Sequence, residues 1–266
     1  MLTVDYSRHD VRRGMRVLDL GAGFGRHAFA TARLGADVIA VDLALEEMEA
    51  TKDTFAAMYL EGEIPTKTTT ACIQGNGARL PFPDRTFDRI IASEVLEHVP
   101  DDLGVMAELF RVLAPGGRLA ATVPASVPEQ ICWWLNDEYH APKAVGGHVR
   151  IYGLPELKTK LTSIGFVPAE SHRAHSLHSP YWWLKCAVGV DNDDNPLVKA
   201  YLKFLTWDIT KAPAITRRAD KLLNPVLGKS LVMYADRPAV QASDRATDDV
   251  THTHSLAATN GSHSDA

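Results

Sequence analysis

The stretch VLDLGAGFGRHAF, Val17 to Phe29, constrains the fold more than any other part of the chain. An apolar run that is typical of a buried strand leads into Gly21, Gly23 and Gly25 and then into a helical pattern. A strand that ends in closely spaced glycines and opens into a helix exposes backbone N–H groups at its carboxyl end. The segment therefore predicts a ligand site beside the first strand of an α/β sheet.

Short β-type runs alternate with helical patterns as far as Pro124. Strands are predicted at 15–20, 36–42, 69–75, 87–93 and 117–124, and all five are apolar on both faces. One of the helices between them is predicted to start at Asp101 or Asp102 and to end at the turn 115–117. This alternation predicts a doubly wound α/β fold with a mostly parallel sheet that helices cover on both faces.

The pattern loosens in the second half of the chain. Residues 125–153 are predicted to form a mobile, lid-like connection, followed by a helix at 154–165 and a strand at 166–173. Three helices, at 179–189, 195–211 and 213–226, form an insert over 178–228 before a seventh strand at 229–237. We predict one domain over 1–238 and a disordered tail over 239–266, whose apolar content is too low for folding.

Composition excludes some classes of protein. The 266 residues carry a net charge of -5, and the tail contributes four Asp and one Arg to it, so no bulk electrostatic attraction to nucleic acid is expected. The three cysteines lack metal-ligand spacing and predict reduced thiols. Without a signal peptide or a run of about 20 apolar residues, we expect a cytoplasmic protein, with at most peripheral contact to a membrane.

The residues around the glycines favour one type of ligand. Arg26 stands where the dinucleotide fingerprint has its third glycine. Asp19 would repel a pyrophosphate but attract a cationic amino group, and Asp42 ends the second strand at the spacing expected of a carboxylate that binds ribose hydroxyls. The expected ligand has a ribose, an ammonium group and no phosphate, which disfavours NAD.

Four segments in order resemble the motifs of class I S-adenosylmethionine-dependent methyltransferases that act on small molecules: VLDLGAGFGRH, VIAVDLA, GNGARLPFPDRTFDRIIASEVLEHVPD and LFRVLAPGGRLAATVP. The resemblance covers residues 15–125 and implies that fold and S-adenosylmethionine as cofactor. The expected cofactor site comprises Asp19, Gly21, Gly23, Gly25, Asp42, Leu43, Asn76, Gly77, Ser93 and Glu94.

Asn76 departs from the family pattern, which has an aspartate at this position. Its carbonyl oxygen can still accept a hydrogen bond from the adenine amino group, although without the assistance of a charge. The alternative is that Asn76 is an ordinary turn residue.

Histidines are the candidates for acid–base chemistry. The cofactor's sulfonium makes its methyl group electrophilic, so the protein must position a nucleophile and, for a hydroxyl, remove its proton. The resemblance places His98 on the substrate side, and we predict His98, His140 and His148 as catalytic residues, with Asp137 or Glu138 orienting one of them.

Alternatives remain for these histidines. His140 and His148 form a larger group with His172, His175 and His178, and two or three of these with a carboxylate could hold a divalent cation, but the spacing matches no metal template and no metal site is predicted. Histidines that are solvated, or that cap a helix, are the other explanation. Arg150 and Tyr152 either contact a polar substrate or the cofactor carboxylate, or pack the connection.

The insert is the predicted specificity element. From His178 to Lys229 the chain holds eight Lys or Arg against five Asp, and the aromatic residues of the insert are Tyr181, Trp182, Trp183, Tyr201, Phe204 and Trp207. Aromatic and basic residues on amphipathic helices suit a membrane interface or a large amphipathic substrate. Packing of the aromatic residues onto the sheet, or a homodimer interface, is the alternative.

These observations predict an enzyme that methylates a hydroxyl group, or an activated carbon, of a small or lipid-like metabolite. An RNA or protein methyltransferase is disfavoured by the charge balance. It is also disfavoured because the chain has SEVL after the fourth strand, where an N/D-P-P-Y type sequence would be expected of such an enzyme. A non-catalytic S-adenosylmethionine-binding protein and an NAD-dependent oxidoreductase are the alternatives from other classes.

Overall fold

The computed structural model describes residues 1–140 and 147–239. Within these ranges the strands are β1 (Arg16–Leu20), β2 (Asp37–Asp42), β3 (Thr70–Gln74), β4 (Phe87–Ser93), β5 (Leu113–Pro124), β6 (Val167–Ala174) and β7 (Ser230–Asp236). The α-helices are α1 (Tyr6–His9), α2 (Arg26–Arg33), α3 (Leu45–Leu60), α4 (Asp102–Val112), α5 (Ser126–Leu135), α6 (Leu154–Ile164), α7 (Ser179–Val188), α8 (Pro196–Lys211) and α9 (Ala214–Leu227). Two 3-10 helices cover Asp137–Tyr139 and Ser176–His178.

The described strands form one sheet in the order β3-β2-β1-β4-β5-β7-β6. Strands β1 to β5 are parallel, and β7 runs antiparallel to both β5 and β6. This arrangement confirms the predicted doubly wound, mostly parallel sheet. The carboxyl ends of β1 to β4 meet at one edge, and the strand order reverses between β1 and β4, which is where ligands bind in such sheets.

Apolar side chains of the central strands form the core. Leu18 of β1, Ile90 of β4 and Leu119 of β5 are fully buried, together with Leu109 of α4 and Leu161 of α6. Burial of one such side chain contributes about 1.5–3 kcal/mol to folding. The core therefore fixes the strands whose carboxyl ends carry the candidate site.

Strand β3 differs from the prediction that all five parallel strands are buried on both faces. Each of its side chains is at least partly exposed to solvent. The reason is topological, because β3 is the edge strand of the sheet.

The boundary between α4 and β5 also differs from the prediction. Asp101 caps α4 as expected, but the helix ends at Val112 and β5 begins at once with Leu113. At Gly117 an added Cβ would lie 2.9 Å from the carbonyl oxygen of Asp88 in β4. This glycine therefore permits close approach of two strands and does not end the helix.

The predicted mobile connection contains regular structure. Helix α5 follows β5 after one residue, and Cys132 on it is buried. Trp183 of α7 donates a hydrogen bond from Nε1 to the Pro128 carbonyl oxygen, 3.1 Å away, which fixes α5 against the insert. Mobility of the connection and its lid-like role stay predictions, and its residues 141–146 lie outside the described residues.

Helices α7, α8 and α9 lie between β6 and β7, as predicted. Ala174, the last residue of β6, pairs with Ser230, the first residue of β7, so the insert leaves and rejoins the sheet at one point. The predicted tail lies outside the described residues from 240 onward. No helix within the described ranges is both long enough and apolar enough to cross a membrane.

Candidate functional site

The glycine turn after β1 has a backbone that other residues adopt only under strain. Gly21, Gly23 and Gly25 have φ values of 67°, 53° and 78°. Gly25 precedes the first residue of α2, and an added Cβ there would lie 2.6 Å from Cζ of Phe29 and 2.8 Å from Cγ2 of Thr51. Conformation and crowding therefore both require glycine.

Asp42, at the end of β2, is bound to this turn. Its Oδ2 accepts a hydrogen bond from the Gly23 N–H at 2.9 Å, and its Oδ1 accepts one from the Ala44 N–H at 3.0 Å. Leu43 is 66% exposed beside it. Asp42 therefore ties the turn to the start of α3 at the sheet edge, and its role toward a ribose stays a prediction.

Asp19 lies in β1 and is 1% exposed. Its Oδ2 has no hydrogen-bond partner among the described residues. Burial raises the pKa of its carboxyl to about 7, although the Ala28 N–H and the charge of Arg26 oppose this shift. A buried carboxylate oxygen without a partner is costly, and a ligand with an ammonium group would remove that cost.

Asn76 and Gly77 follow β3 at the same edge. The Asn76 Oδ1 accepts a hydrogen bond from the Ala78 N–H at 2.9 Å, as in a turn. An added Cβ at Gly77 would lie 3.0 Å from Cδ2 of Leu20 in β1. The structure thus contains the turn that was the alternative for Asn76, and a second lone pair of the same oxygen remains for a ligand.

Ser93 and Glu94 stand where β4 ends. The Ser93 Oγ lies 3.0 Å from Oγ1 of Thr122 in β5, and Nη2 of Arg26 donates to it at 3.3 Å. Glu94 has a φ of 57°, and its Oε1 accepts a hydrogen bond from the Thr122 hydroxyl at 2.8 Å. A left-handed backbone at a residue other than glycine is a strain that clusters at functional sites.

The structure brings His98 and His148 together. Their ring centroids lie 4.8 Å apart, at an interplanar angle of 66°. His140 stacks on Trp133 of α5, with ring centroids 4.0 Å apart. Two of the three predicted catalytic histidines are therefore in contact with each other, and the third packs on helix α5 through Trp133.

Glu129 of α5 was missed by the sequence analysis. It is 2% exposed, its Oε1 lies 2.5 Å from Nδ1 of His148, and the same oxygen accepts a hydrogen bond from Nε1 of Trp133 at 2.8 Å. Burial alone would raise the pKa of the Glu129 carboxyl, but the hydrogen bond and charge of His148, with the charge of Lys229, hold it below its usual value. The carboxylate bound to His148 is thus Glu129, and the role of Asp137 or Glu138 in orienting one of the histidines stays a prediction.

Glu97 was missed as well. It is fully buried, and neither carboxylate oxygen meets a hydrogen-bond donor of another described residue. Its Oε1 lies 3.9 Å from Nε2 of His98. Burial and the nearby charge of Glu94 raise the pKa of this carboxyl well above its usual value.

Other predicted residues have structural roles. Tyr152 is 1% exposed and donates its hydroxyl to Asp102, and Arg150 donates to the Pro100 carbonyl oxygen at 2.7 Å and pairs with Asp102 at 3.1 Å. Both pack the connection against the start of α4, as in the second of the two alternatives for them. His172 stacks on Tyr234 in the neighbouring strand, with ring centroids 5.7 Å apart.

The model of the family described as "Methyltransferase domain" matches residues 18–121. This part of the chain is a class I S-adenosylmethionine-dependent methyltransferase domain. The predicted family, fold and cofactor are thereby confirmed. The matched residues contain the glycine turn, Asp42, Asn76, Glu94 and His98, whereas Glu129 and His148 follow them.

Two curated relatives are similar to this methyltransferase domain. Methyltransferase GfsG of Streptomyces halstedii is 40% identical over 116 residues, which cover 43% of this chain and 40% of the relative. The 27-O-demethylrifamycin SV methyltransferase of Amycolatopsis mediterranei is 30% identical over 173 residues, which cover 65% of this chain and 61% of the relative. The chain thus spans about two fifths and about three fifths of the lengths of these relatives.

Solved structures share the fold of the methyltransferase domain and of the strands that follow it. One described as a putative sarcosine dimethylglycine methyltransferase from Galdieria sulphuraria has a TM-score of 0.58 at 21% identity, covering 87% of this chain and 82% of that one. This likeness concerns the fold alone.

The residues at the sheet edge fit S-adenosylmethionine. The turn carries no side chain at Gly21, Gly23 and Gly25, and the unpartnered Oδ2 of Asp19 suits the cofactor's ammonium group. Asp42 brings a carboxylate that suits ribose hydroxyls. The individual contacts of these residues to the cofactor stay predictions.

Proposed function

We propose that this protein is an S-adenosylmethionine-dependent methyltransferase that transfers the methyl group to a hydroxyl of a small or lipid-like metabolite. The observation that carries the proposal is the pair formed by His98 and His148, with Glu129 on the Nδ1 of His148. A histidine oriented by a carboxylate is suited to activating a hydroxyl, and His98 of this pair follows the end of β4 by only a few residues.

The cofactor half of the site binds and orients. Gly21, Gly23 and Gly25 leave the backbone accessible, Asp42 binds the ribose, and Asp19 binds the ammonium group. The cofactor supplies an electrophilic methyl group, so most of the catalytic work of the protein is to align the acceptor and exclude water. Helix α5 contributes to both, because it carries Glu129 and closes against α7.

The acceptor half handles the acceptor's proton. The rings of His98 and His148 are in contact, and the ring centroid of Tyr139 lies 5.9 Å from that of His148. Trp182 packs in turn on Tyr139, with ring centroids 5.7 Å apart. Aromatic walls suit an acceptor with apolar surface, and the histidines suit its hydroxyl. The name of the rifamycin relative records transfer to an oxygen, which supports a hydroxyl acceptor over an activated carbon.

The test begins with binding. The full chain is titrated with S-adenosylmethionine and with NAD by calorimetry, and micromolar affinity for the first alone is expected. It is then incubated with S-adenosylmethionine carrying a labelled methyl group and with extracts of cells that lack it. A metabolite that gains the label only with active protein supports the proposal.

Other results point to the alternatives. Binding of NAD without S-adenosylmethionine would contradict the proposal and favour an oxidoreductase. Binding of S-adenosylmethionine without transfer to any extract component or hydroxylated test acceptor would favour a non-catalytic binding protein.

A second candidate function concerns membrane contact. One face of α8 carries Lys199, Lys203 and Lys211 beside Leu202 and Trp207, and all five are exposed. Basic and aromatic side chains on one helical face suit an anionic lipid surface. We propose that α8 contacts such a surface, where a lipid-like acceptor would be found.

Vesicle sedimentation tests this contact. The chain should sediment with vesicles containing 30% phosphatidylserine and not with pure phosphatidylcholine, and the variant Lys203→Glu/Trp207→Ser should remain in the supernatant. The control variant Lys67→Glu, on the side of β3, should behave as the unaltered protein. Equal behaviour of both variants would remove α8 as the contact, and concentration-dependent dimerisation lost in the α8 variant would assign the face to a second copy of the chain.

A further inference from the structure

We propose that Glu97, His98 and His148 form a binding site for a divalent cation. One potential ligand atom of each residue lies within 4.8 Å of those of the other two. An ion bound about 2.1 Å from each ligand needs ligand atoms roughly 3 to 4 Å apart, so small side-chain rotations close the site. Two histidines and one carboxylate are a set that zinc, manganese, cobalt or ferrous iron accepts.

The burial of Glu97 is an independent observation. Its carboxylate is fully enclosed and lacks a donor from another described residue. Such a group is costly unless it is paired or coordinates a metal. Its Oε1 is directed to Nε2 of His98, 3.9 Å away, which is too long for a hydrogen bond and leaves room for an ion between these residues and His148.

His148 has the supporting contact that metal-bound histidines have. Its Nδ1 is held by Glu129, and Trp133 holds the same carboxylate oxygen. A carboxylate on one ring nitrogen fixes the orientation of the imidazole and raises the basicity of the other nitrogen. This leaves Nε2 of His148 as the ligand atom.

The local charge also attracts a cation. Glu94 and Glu129 act on Glu97 as neighbouring negative charges, and Lys229, before β7, is the positive charge that acts on it. A divalent ion would reduce the repulsion among these carboxylates.

The inference rests on the proposed function for the role of the ion. Three protein ligands leave open positions at the ion for an oxygen of the acceptor. An oxygen bound there has a lowered pKa, and its O–H proton passes to water. His98 and His148 would then activate the acceptor hydroxyl through the ion, and the acceptor class would be molecules with a hydroxyl beside a second oxygen, both able to coordinate the metal.

Manganese binding tests the site without cofactor or acceptor. The full chain, freed of metal with a chelator, is titrated with MnCl2 while the electron paramagnetic resonance signal of free Mn²⁺ is followed. One saturable site is expected. Glu97→Gln and His98→Ala should each weaken it at least tenfold, and Glu129→Gln, which removes the charge that supports His148, should weaken it about 10–100-fold.

Matched variants control for other sources of binding. Glu61→Gln, an exposed position at the end of α3, and His172→Gln should leave Mn²⁺ affinity unchanged. The sequence also has His252, His254 and His263, so a variant with all three replaced by alanine should keep the site. Retained S-adenosylmethionine affinity and an unchanged melting temperature show that Glu97→Gln or His98→Ala is folded.

The possible results distinguish a failure of the ion site from a failure of the proposed function. No saturable Mn²⁺ binding, binding unchanged in both Glu97→Gln and His98→Ala, or binding lost with the three C-terminal histidines would overturn the inference. Mn²⁺ binding in a chain that binds no S-adenosylmethionine would retain the ion site and refute the proposed function. S-adenosylmethionine binding and turnover that persist without Mn²⁺ binding would support the proposed function and refute the ion site.

Discussion

Nδ1 of His148 lies 2.5 Å from Oε1 of Glu129, and both side chains are largely shielded from solvent. The two residues come from opposite ends of the connection between β5 and α6. Their contact ties α5 to the segment that follows the undescribed residues 141–146. The acceptor side of the methyltransferase domain is therefore built by pairing residues outside the part that the family model matches.

Glu129→Gln should lower turnover about 10–100-fold, because the amide loses the charge that orients His148. The affinity for S-adenosylmethionine should not change, since Glu129 lies away from the glycine turn. Single-turnover rates with the acceptor identified in extracts measure the first effect and calorimetry the second. Glu61→Gln is the matched control, and normal turnover in Glu129→Gln would remove this carboxylate from the mechanism.

Asp42→Ala should weaken S-adenosylmethionine binding at least tenfold, which corresponds to about 1.4 kcal/mol. It should also destabilise the protein, because the Gly23 and Ala44 N–H groups lose their acceptors, each at a cost of about 1–3 kcal/mol. Asp42→Asn keeps one carbonyl acceptor and should be less destabilising. Calorimetry and urea unfolding separate the two effects, and unchanged affinity in Asp42→Ala would show that this carboxylate does not contact the cofactor.

Gly25→Ala should cost about 3 kcal/mol or more in the free energy of unfolding, since a left-handed backbone and contacts with Phe29 and Thr51 both oppose a methyl group. Gly14→Ala is the matched control. Gly14 has a similar φ of 79° but no atom within 4 Å of the added Cβ, so its cost should be about 1 kcal/mol. Urea unfolding of both variants measures the difference, and equal costs would mean that crowding contributes nothing.

Asp19 should make stability and cofactor affinity depend on pH in opposite ways. Its pKa rises from 3.8 to about 7 through burial, so between these values the folded state keeps a proton that the unfolded state has released. The free energy of unfolding of the cofactor-free protein should therefore fall as pH rises from about 4 to 7, by an amount on the order of 4 kcal/mol.

Binding of an ammonium group favours the ionised carboxylate, so S-adenosylmethionine affinity should rise about tenfold or more between pH 5.5 and 7.5. Asp19→Asn should flatten both profiles and stabilise the cofactor-free protein at pH 7. Calorimetry and urea unfolding across this range are the measurements, and a flat affinity profile in the unaltered protein would separate Asp19 from the ammonium group.

The cofactor side could be predicted because its determinants are local. The glycine turn, Asp19 and Asp42 lie in or beside short strands whose period and end residues are visible in the sequence. The parallel topology then places their carboxyl ends at one edge without further information. The N-cap at Asp101 could be predicted for the same reason.

The acceptor side depends on contacts that sequence spacing does not encode. His98 and His148 are brought together by the path of the connection, and Glu129 reaches them from a helix whose pattern is short and interrupted by a proline. The only hint in the sequence was that Glu129 and Trp133 are four residues apart, a spacing at which two side chains meet on one face of a helix. Glu97 lies within a segment that resembles a family motif, but the charges that act on it include those of Glu129 in α5 and Lys229 before β7, which are distant in the chain.

The pairing of Ala174 with Ser230 has a consequence for how this chain could change. Residues 175–229 leave the sheet and return to the next position of the same antiparallel pair, so a tight hairpin could replace them with little change to the strand order. The segment could thus be replaced by another of different length without a change in the strand order. Acceptor preference can diverge between homologous chains through such exchanges while the cofactor half keeps its sequence.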